Sequence, residues 1–227
     1  MKRKQLLFAK IFGLFLFAPF YAAAQDVQPN ATVGQHLSIS VQPLFLFTNA
    51  LKMDVEWQRP LKKLAFIGGA EFYNGPVSPI FRTEQKYGDQ TEDRINGFGI
   101  TAALKYKFRA DKISSFYFSP GITYRRLNLK LTGPAYYSYL ENDIEYYSYG
   151  NVVQEHQLHP VIIYGNIGVQ HVEKSGLLAD VYVGIAYKTV NRIHRVEVDR
   201  DYEKRSYGYN YRGLLFQAGV KLGFQLK

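Results

Sequence analysis

The last segment of the chain, GLLFQAGVKLGFQLK from Gly213 to Lys227, carries an apolar side chain at every second position: Leu214, Phe216, Ala218, Val220, Leu222, Phe224 and Leu226. Gln, Gly and Lys fill most of the alternate positions. A period of two belongs to a β-strand, whose successive side chains point to opposite faces. The segment therefore predicts a strand with one apolar and one wet face, and such a strand is stable only inside a larger sheet.

The same period recurs along the chain. Leu51–Pro60 sets Leu51, Met53, Val55 and Trp57 against Lys52, Asp54, Glu56 and Gln58. Phe98–Phe108 and Leu177–Thr189 repeat the pattern, the first with Phe98, Ile100, Ala102, Leu104, Tyr106 and Phe108 on one face. Four further strands show less contrast: His36–Thr48, Leu64–Asn74, Phe116–Leu127 and Leu158–Val172. With the final strand the total is eight. Pro43, Pro120 and Pro160 fall inside three of them, and because proline removes a ladder hydrogen bond, bulges or strand ends are expected there.

The opening, MKRKQLLFAKIFGLFLFAPFYAAAQ, reads as a secretory signal peptide with cleavage after Ala24: Lys2, Arg3 and Lys4 come first, then an apolar run, then Ala22-Ala23-Ala24. Its uninterrupted apolar stretch is too short for a spanning helix, which needs roughly 20 residues. The expected organisation is residues 1–24 as signal peptide, 25–35 as a short periplasmic segment and 36–227 as the folded domain. Loss of the signal removes four basic residues, leaving 24 against 19 acidic ones. That modest excess of five is no nucleic-acid footprint. There is no cysteine, hence no disulfide framework.

Loop lengths point to the type of β structure. The links RPLKK, RADKISS and EKSG are short, whereas Gly75–Gly97, Asn128–Gln157 and Val190–Asn210 are long. Only the link near Asn49 departs from this alternation. Short turns at one end and long loops at the other describe a transmembrane barrel with periplasmic turns and extracellular loops. Aromatic placement agrees with it. Trp57, Phe66, Tyr106, Phe108, Phe116, Phe118 and Phe224 fall near the periplasmic rim, and Phe45, Phe47, Phe72, Phe98, Tyr124, Tyr187 and Phe216 near the opposite one. Two aromatic girdles around an aliphatic band are what the bilayer interfaces select. The fold class predicted is all-β: an eight-stranded antiparallel up-and-down transmembrane β-barrel with three long extracellular loops. Its last strand must pair back onto the first, because lipid offers no hydrogen-bond partner to an open edge.

On the signal ending Ala22-Ala23-Ala24, the eight alternating strands, the loop asymmetry and the closing LLFQAGVKLGFQL, the chain resembles the small eight-stranded outer-membrane barrels of Gram-negative bacteria, the OmpA/OmpX-type group. Its tyrosine-rich character is similar to barrels of the Bacteroidetes lineage. The resemblance implies residence in the cell outer membrane, contact with its lipid and lipopolysaccharide, and recognition of the C-terminal strand by the barrel assembly machinery. Such barrels often end on an aromatic residue. Here Gln225, Leu226 and Lys227 follow Phe224, so Phe224 with Leu226 has to serve as that signal.

Eight strands enclose an interior just wide enough to be filled by side chains. Inward-facing Lys52, Asp54, Glu56, Glu71, Lys105, Lys107, Arg125, Asp180, Lys188 and Lys221 mix both signs, which predicts a paired polar plug. The alternative is a narrow solute or ion channel lined by the same groups. The loop Asn128–Gln157 holds Tyr136, Tyr137, Tyr139, Tyr146, Tyr147 and Tyr149 around the turn-forming Glu141-Asn142-Asp143, so the flanking strands are expected to continue as a hairpin. Tyrosines at this density suit an extracellular ligand, or a place among lipopolysaccharide sugars. Arg192, Arg195, Arg200, Lys204 and Arg205 in the last long loop suit lipopolysaccharide phosphates.

Signals for catalysis are weak. His156 and His159 stand three apart, on opposite faces of a strand, which argues against metal ligation. A lipid A-modifying enzyme using His156 with Ser148 and Glu155 is a third reading, and no spacing compels it. The expectation is a non-enzymatic barrel without cofactor or metal, structural or adhesive at the cell surface.

Overall fold

A computed structural model describes residues 36–59, 63–77, 93–110, 114–192 and 208–226. The signal peptide and the segment 25–35 lie outside the described residues, as do Arg195, Arg200, Lys204 and Arg205; of Arg192 only the backbone is described.

The strands are β1 (His36–Val41), β2 (Ala50–Gln58), β3 (Leu64–Pro76), β4 (Arg94–Ala110), β5 (Ser114–Glu141), β6 (Ile144–Val172), β7 (Leu177–Arg192) and β8 (Gly213–Leu226), with a 3-10 helix, Pro43–Thr48, between the first two. Each strand pairs antiparallel with its neighbours in chain order. β8 returns to β1 from Leu37↔Leu226 to Val41↔Leu222, closing an up-and-down barrel. One end of this barrel carries the links β2–β3, β4–β5 and β6–β7, here called the turn end; the other is the hairpin end.

Three expectations about strand ends need correction. The first strand stops at Val41. Pro43 cannot donate to a ladder and instead opens the 3-10 helix, where its fixed φ is already suitable. Asn49, left-handed at φ 52°, closes that helix and reverses the chain. Phe45 and Phe47 thus leave the strand. Phe45 turns inward, with the Lys52 Nζ 5.1 Å from its ring centroid, and is no girdle residue; Phe47 remains exposed on the helix. Pro120 and Pro160, by contrast, lie within continuous strands: they pair with Gly165 and Val190 on one edge, while on the other the ladder to β4 or β5 lapses for two residues without a shift of register. The irregularity lies in β4, where pairing steps from Lys107↔Tyr117 to Arg109↔Phe116 and leaves Phe108 as the extra residue of a bulge.

The third concerns extent: the hairpin expected in Asn128–Gln157 takes up that whole segment and leaves a turn of only two residues. β5 and β6 stay in register from Asn128↔Gln157 to Glu141↔Ile144. Asn142 (φ 51°) and Asp143 (φ 62°) form a two-residue turn with both φ positive, whose twist matches that of the strands it joins.

The barrel is apolar outside and polar inside through its turn-end portion. Met53, Val55, Ile100, Ile122, Ile167, Val181, Val183 and Ile185 are exposed on the outer wall, while Asp54, Glu56, Lys105, Thr123 and Asp180 are buried within. A soluble barrel has the opposite arrangement, so this outer wall is built for lipid. Bands of Trp57, Phe66, Tyr106, Phe108, Phe116, Phe118 and Phe224 near the turn end, and of Phe72, Phe98, Tyr124, Tyr187 and Phe216 towards the hairpin end, lie on that wall.

Past the second band the pattern inverts. On β5 the outward residues become Arg126, Asn128 and Lys130 and the inward ones Leu127, Leu129 and Leu131. β4 does the same with Asn96 outside and Ile95 inside, β6 with Gln157 and Leu158, and β7 with Asn191 and Val190. These inward residues join Ala50, Tyr73, Val77, Ala135 and Tyr209 in an apolar cluster inside the hairpin end. Here the strands have left the lipid, and water now sets the rule of which face is buried.

Candidate functional site

The inward polar residues form tiers, because each strand delivers one of them at every second position. Nearest the turn end, the Lys105 Nζ lies 2.6 Å from Glu56 Oε2 and 2.9 Å from Asp180 Oδ2. Lys107 adds a second cation to Glu56 at 3.2 Å, and Gln170 donates to the same carboxylate. The Tyr117 hydroxyl donates to Asp180 Oδ1 at 2.5 Å. Two lysines against two carboxylates leave this tier neutral, with the Lys105 Nζ 4.3 Å from the Tyr117 ring centroid. A buried ion cluster is tolerable only when paired in this way.

The next tier is built differently. Glu71, fully buried, holds Lys52 at 2.8 Å and Arg125 at 2.6 Å, and accepts from the Tyr73 hydroxyl. Asp54 accepts from Lys221 at 2.6 Å and from Gln42 at 2.7 Å, and Gln42 accepts in turn from the Tyr182 hydroxyl. Lys188, buried, donates to the Gly208 carbonyl at 2.8 Å. No carboxylate pairs with it among the described residues. Four cations therefore face two anions here.

All ten inward charges named from the sequence thus stand inside the barrel, in these two tiers. The tyrosines between them were not singled out in the sequence, although parity places Tyr73, Tyr117, Tyr164 and Tyr182 on the same faces. Glycines make room for them. A Cβ on Gly168 would meet the Tyr117 hydroxyl, and one on Gly219 the Tyr182 ring. This pairing of large and bare positions was the available signal.

Between the upper tier and the hairpin-end apolar cluster is a cavity of about 260 Å³, walled by Lys52, Asp54, Arg125, Tyr182, Lys188 and Lys221 among others. Below it the neutral tier fills the barrel. The Asp54 Oδ1 is buried against Gly69 with no hydrogen-bond partner among the described residues.

The other feature is the β5–β6 hairpin. Tyr136, Tyr137, Tyr139, Tyr146, Tyr147 and Tyr149 are all exposed on it. They touch one another across the ladder: Tyr136 and Tyr149 centroids are 4.9 Å apart, and Tyr139 and Tyr146 stack at 5.6 Å. Such cross-strand aromatic pairs stiffen a hairpin.

The residues of the enzymatic reading do not converge. His156 points inward and is buried, Glu155 points outward, and Ser148 lies eight residues along β6, about 26 Å away at the rise of a strand. His159 faces out and meets the Tyr124 hydroxyl at 2.8 Å. Among the described residues no group of three or more His, Cys, Asp or Glu side chains is arranged to hold a metal ion.

No protein-family model matches the chain, and no curated protein matches it. Solved structures similar to it include Neisserial surface protein A (11% identity, TM-score 0.40, 87% of this chain and 99% of that one). A major outer membrane protein from Thermus thermophilus gives 11% identity and a TM-score of 0.43 over 85% and 98% of the two chains. Acinetobacter baumannii CarO gives 10% and 0.38 over 86% and 99%. The eight-stranded closed barrel rests on the strand pairing itself, and nothing about activity follows from likenesses at this level.

Proposed function

We propose that this chain is a non-catalytic outer-membrane barrel of the OmpA/OmpX type that presents the tyrosine hairpin outside the cell, in a structural or adhesive role. The single observation carrying this reading is the β5–β6 ladder, continuous from Leu127↔Leu158 beyond the lipid-facing wall to the Asn142-Asp143 turn, with six exposed tyrosines. A barrel that only sealed a membrane would need no such arm. Tyrosine offers wide, rigid contact area at low entropic cost, with a hydroxyl to orient a polar partner. The partners this reading calls for are membrane lipid and lipopolysaccharide around the wall, the assembly machinery at β8, and an extracellular ligand at the hairpin. The neutral Glu56–Lys105–Asp180–Lys107 tier supports a plug over the channel alternative, because an ion would have to part four mutually paired charges to pass.

The test has two arms. Cells displaying the protein, and cells displaying a version with residues 136–149 replaced by a two-residue turn, are compared for attachment to matrix and glycan surfaces. Loss of attachment with the arm supports adhesion, and equal attachment refutes it. Planar-bilayer recordings of the refolded chain are expected to stay silent; reproducible unitary steps would overturn the plug.

A further inference from the structure

The wall of the barrel is not uniformly paired. β1 has six residues and covers β8 only from Leu222 to Leu226. From Gly213 to Lys221, β8 pairs with β7 on one edge, and among the described residues no strand lies along the other. The 3-10 helix Pro43–Thr48 packs beside that edge instead. This part of β8 stands at lipid depth, since Leu214 and Phe216 are 69% and 76% exposed on the outer wall. Unpaired backbone at that depth is tolerated only where it lines a cavity. It does so here: Leu215, Gln217 and Ala218 from β8 and Leu44, Phe45 and Thr48 from the helix complete the walls of the 260 Å³ chamber. The outward-facing Ala218 is among them, so the chamber reaches the lipid side of the wall.

The charge inside the chamber indicates what it is shaped to receive. Among the described residues Lys52, Arg125, Lys188 and Lys221 are offset by Glu71 and Asp54, leaving an excess of two positive charges in a low-dielectric interior. Uncompensated buried charge is costly. Lys188, 4% exposed, has a lone carbonyl as its partner. An anion entering beside it would supply the missing charge. The entrance, by contrast, is apolar: Leu44, Leu215 and Ala218 line it.

We propose that this chamber binds an anionic amphiphile, a single-chain carboxylate or phosphate, which enters sideways from the bilayer through the gap between the 3-10 helix and β8. The head group sits among Lys188, Lys221, Lys52 and Arg125, and the alkyl chain passes out beside Ala218 into the lipid. A free fatty acid and a lipid phosphate share this chemistry. The site depends on the barrel lying in a membrane and is independent of what the hairpin does.

The test uses the full mature chain refolded into phosphatidylcholine nanodiscs and titrated with dansyl-undecanoate. Saturable binding at one site is expected, displaced by dodecanoate or dodecyl phosphate, and the tighter competitor identifies a carboxylate or a phosphate source. Dodecyltrimethylammonium and inorganic phosphate should not displace it. Lys188→Met should weaken binding about tenfold, the scale of one charged hydrogen bond. Because Lys188 leaves no carboxylate unpaired when removed, that variant should fold; Lys188→Gln repeats the measurement if its yield falls. Ala218→Trp, at the lip of the gap, should slow association with little change in dissociation. Absence of saturable binding, unchanged affinity in both Lys188 variants, or displacement by inorganic phosphate as effective as by dodecanoate would each overturn the proposal.

Discussion

Replacing Lys105 by Met tests whether the turn-end tier holds the barrel together as a charge-balanced unit. The ammonium is 1% exposed and contacts both Glu56 and Asp180. After its removal Glu56 keeps Lys107 and Gln170, whereas Asp180 keeps the neutral Tyr117 hydroxyl. One carboxylate is left buried without a cation. Breaking a buried pair in this way costs about 3–5 kcal/mol. Each 1.4 kcal/mol is tenfold, so the folding equilibrium should fall by roughly two to nearly four orders of magnitude. Adding Asp180→Asn restores neutrality and keeps the partner of Tyr117, so the double variant should recover most of the loss. Urea titrations in phosphatidylcholine vesicles read this directly, through heat-modifiable electrophoretic mobility and the fluorescence of Trp57, the sole tryptophan. A Lys105→Met variant within about 1 kcal/mol of the parent, or a double variant no more stable than the single one, would refute charge balance as the organising principle.

Further substitutions probe the other features. Gly219→Ala drives a methyl into the Tyr182 ring and should cost about 1–3 kcal/mol, whereas Gly68→Ala, whose Cβ meets nothing within 4 Å, should stay within about 0.5 kcal/mol; the same urea titration separates them. Val183→Arg, in the middle of the lipid-facing wall, should cost about 2–4 kcal/mol. Asn128→Arg, outward but beyond the inversion, should be nearly neutral, and equal costs at the two sites would show that the inversion does not mark the bilayer edge. Replacing residues 136–149 by a two-residue turn, which spares Ala135 and Val152 at the apolar cluster, should leave the folded fraction on a mobility gel unchanged, because the tyrosines removed stack on one another across the hairpin.

The strands were legible in the sequence because lipid and a polar interior enforce the same period of two on both faces. The cores of β2, β4, β7 and β8 follow from alternation, although β4 starts four residues and β7 ends three residues beyond the expected bounds, in the stretches that have left the apolar wall. Period alone does not say which face is inside, and the flip on β5 shows the consequence. Ile122 and Tyr124 face out, yet the next strong apolar residues, Leu127, Leu129 and Leu131, have the opposite parity, so YRRLNLKL reads as a fading strand when it is a strand entering water. Strand ends were less legible still. Pro43 ends β1 because a helix can begin there, while Pro120 and Pro160 pass within continuous strands, each held by full pairing on one edge where the ladder on the other lapses. The bulge at Phe108 preserves the outward parity of its own strand and left no trace in the pattern. The ten inward charges were legible as a set, but their division into a balanced and an unbalanced tier depends on cross-barrel distances.

The inversion also works as a waterline. On four neighbouring strands the last apolar outward residue and the first polar one are separated by a single step of the pleat, and those steps together trace a ring around the wall. Sinking the barrel would carry Arg126, Asn128, His159 and Asn191 into hydrocarbon together, and raising it would expose Phe72, Phe98 and Tyr187. The protein therefore rides at one height in its bilayer whatever is attached above it. The hairpin tip, sixteen residues beyond Arg126 at about 3.3 Å each, stands roughly 53 Å along the strand from that ring as a mast of fixed length.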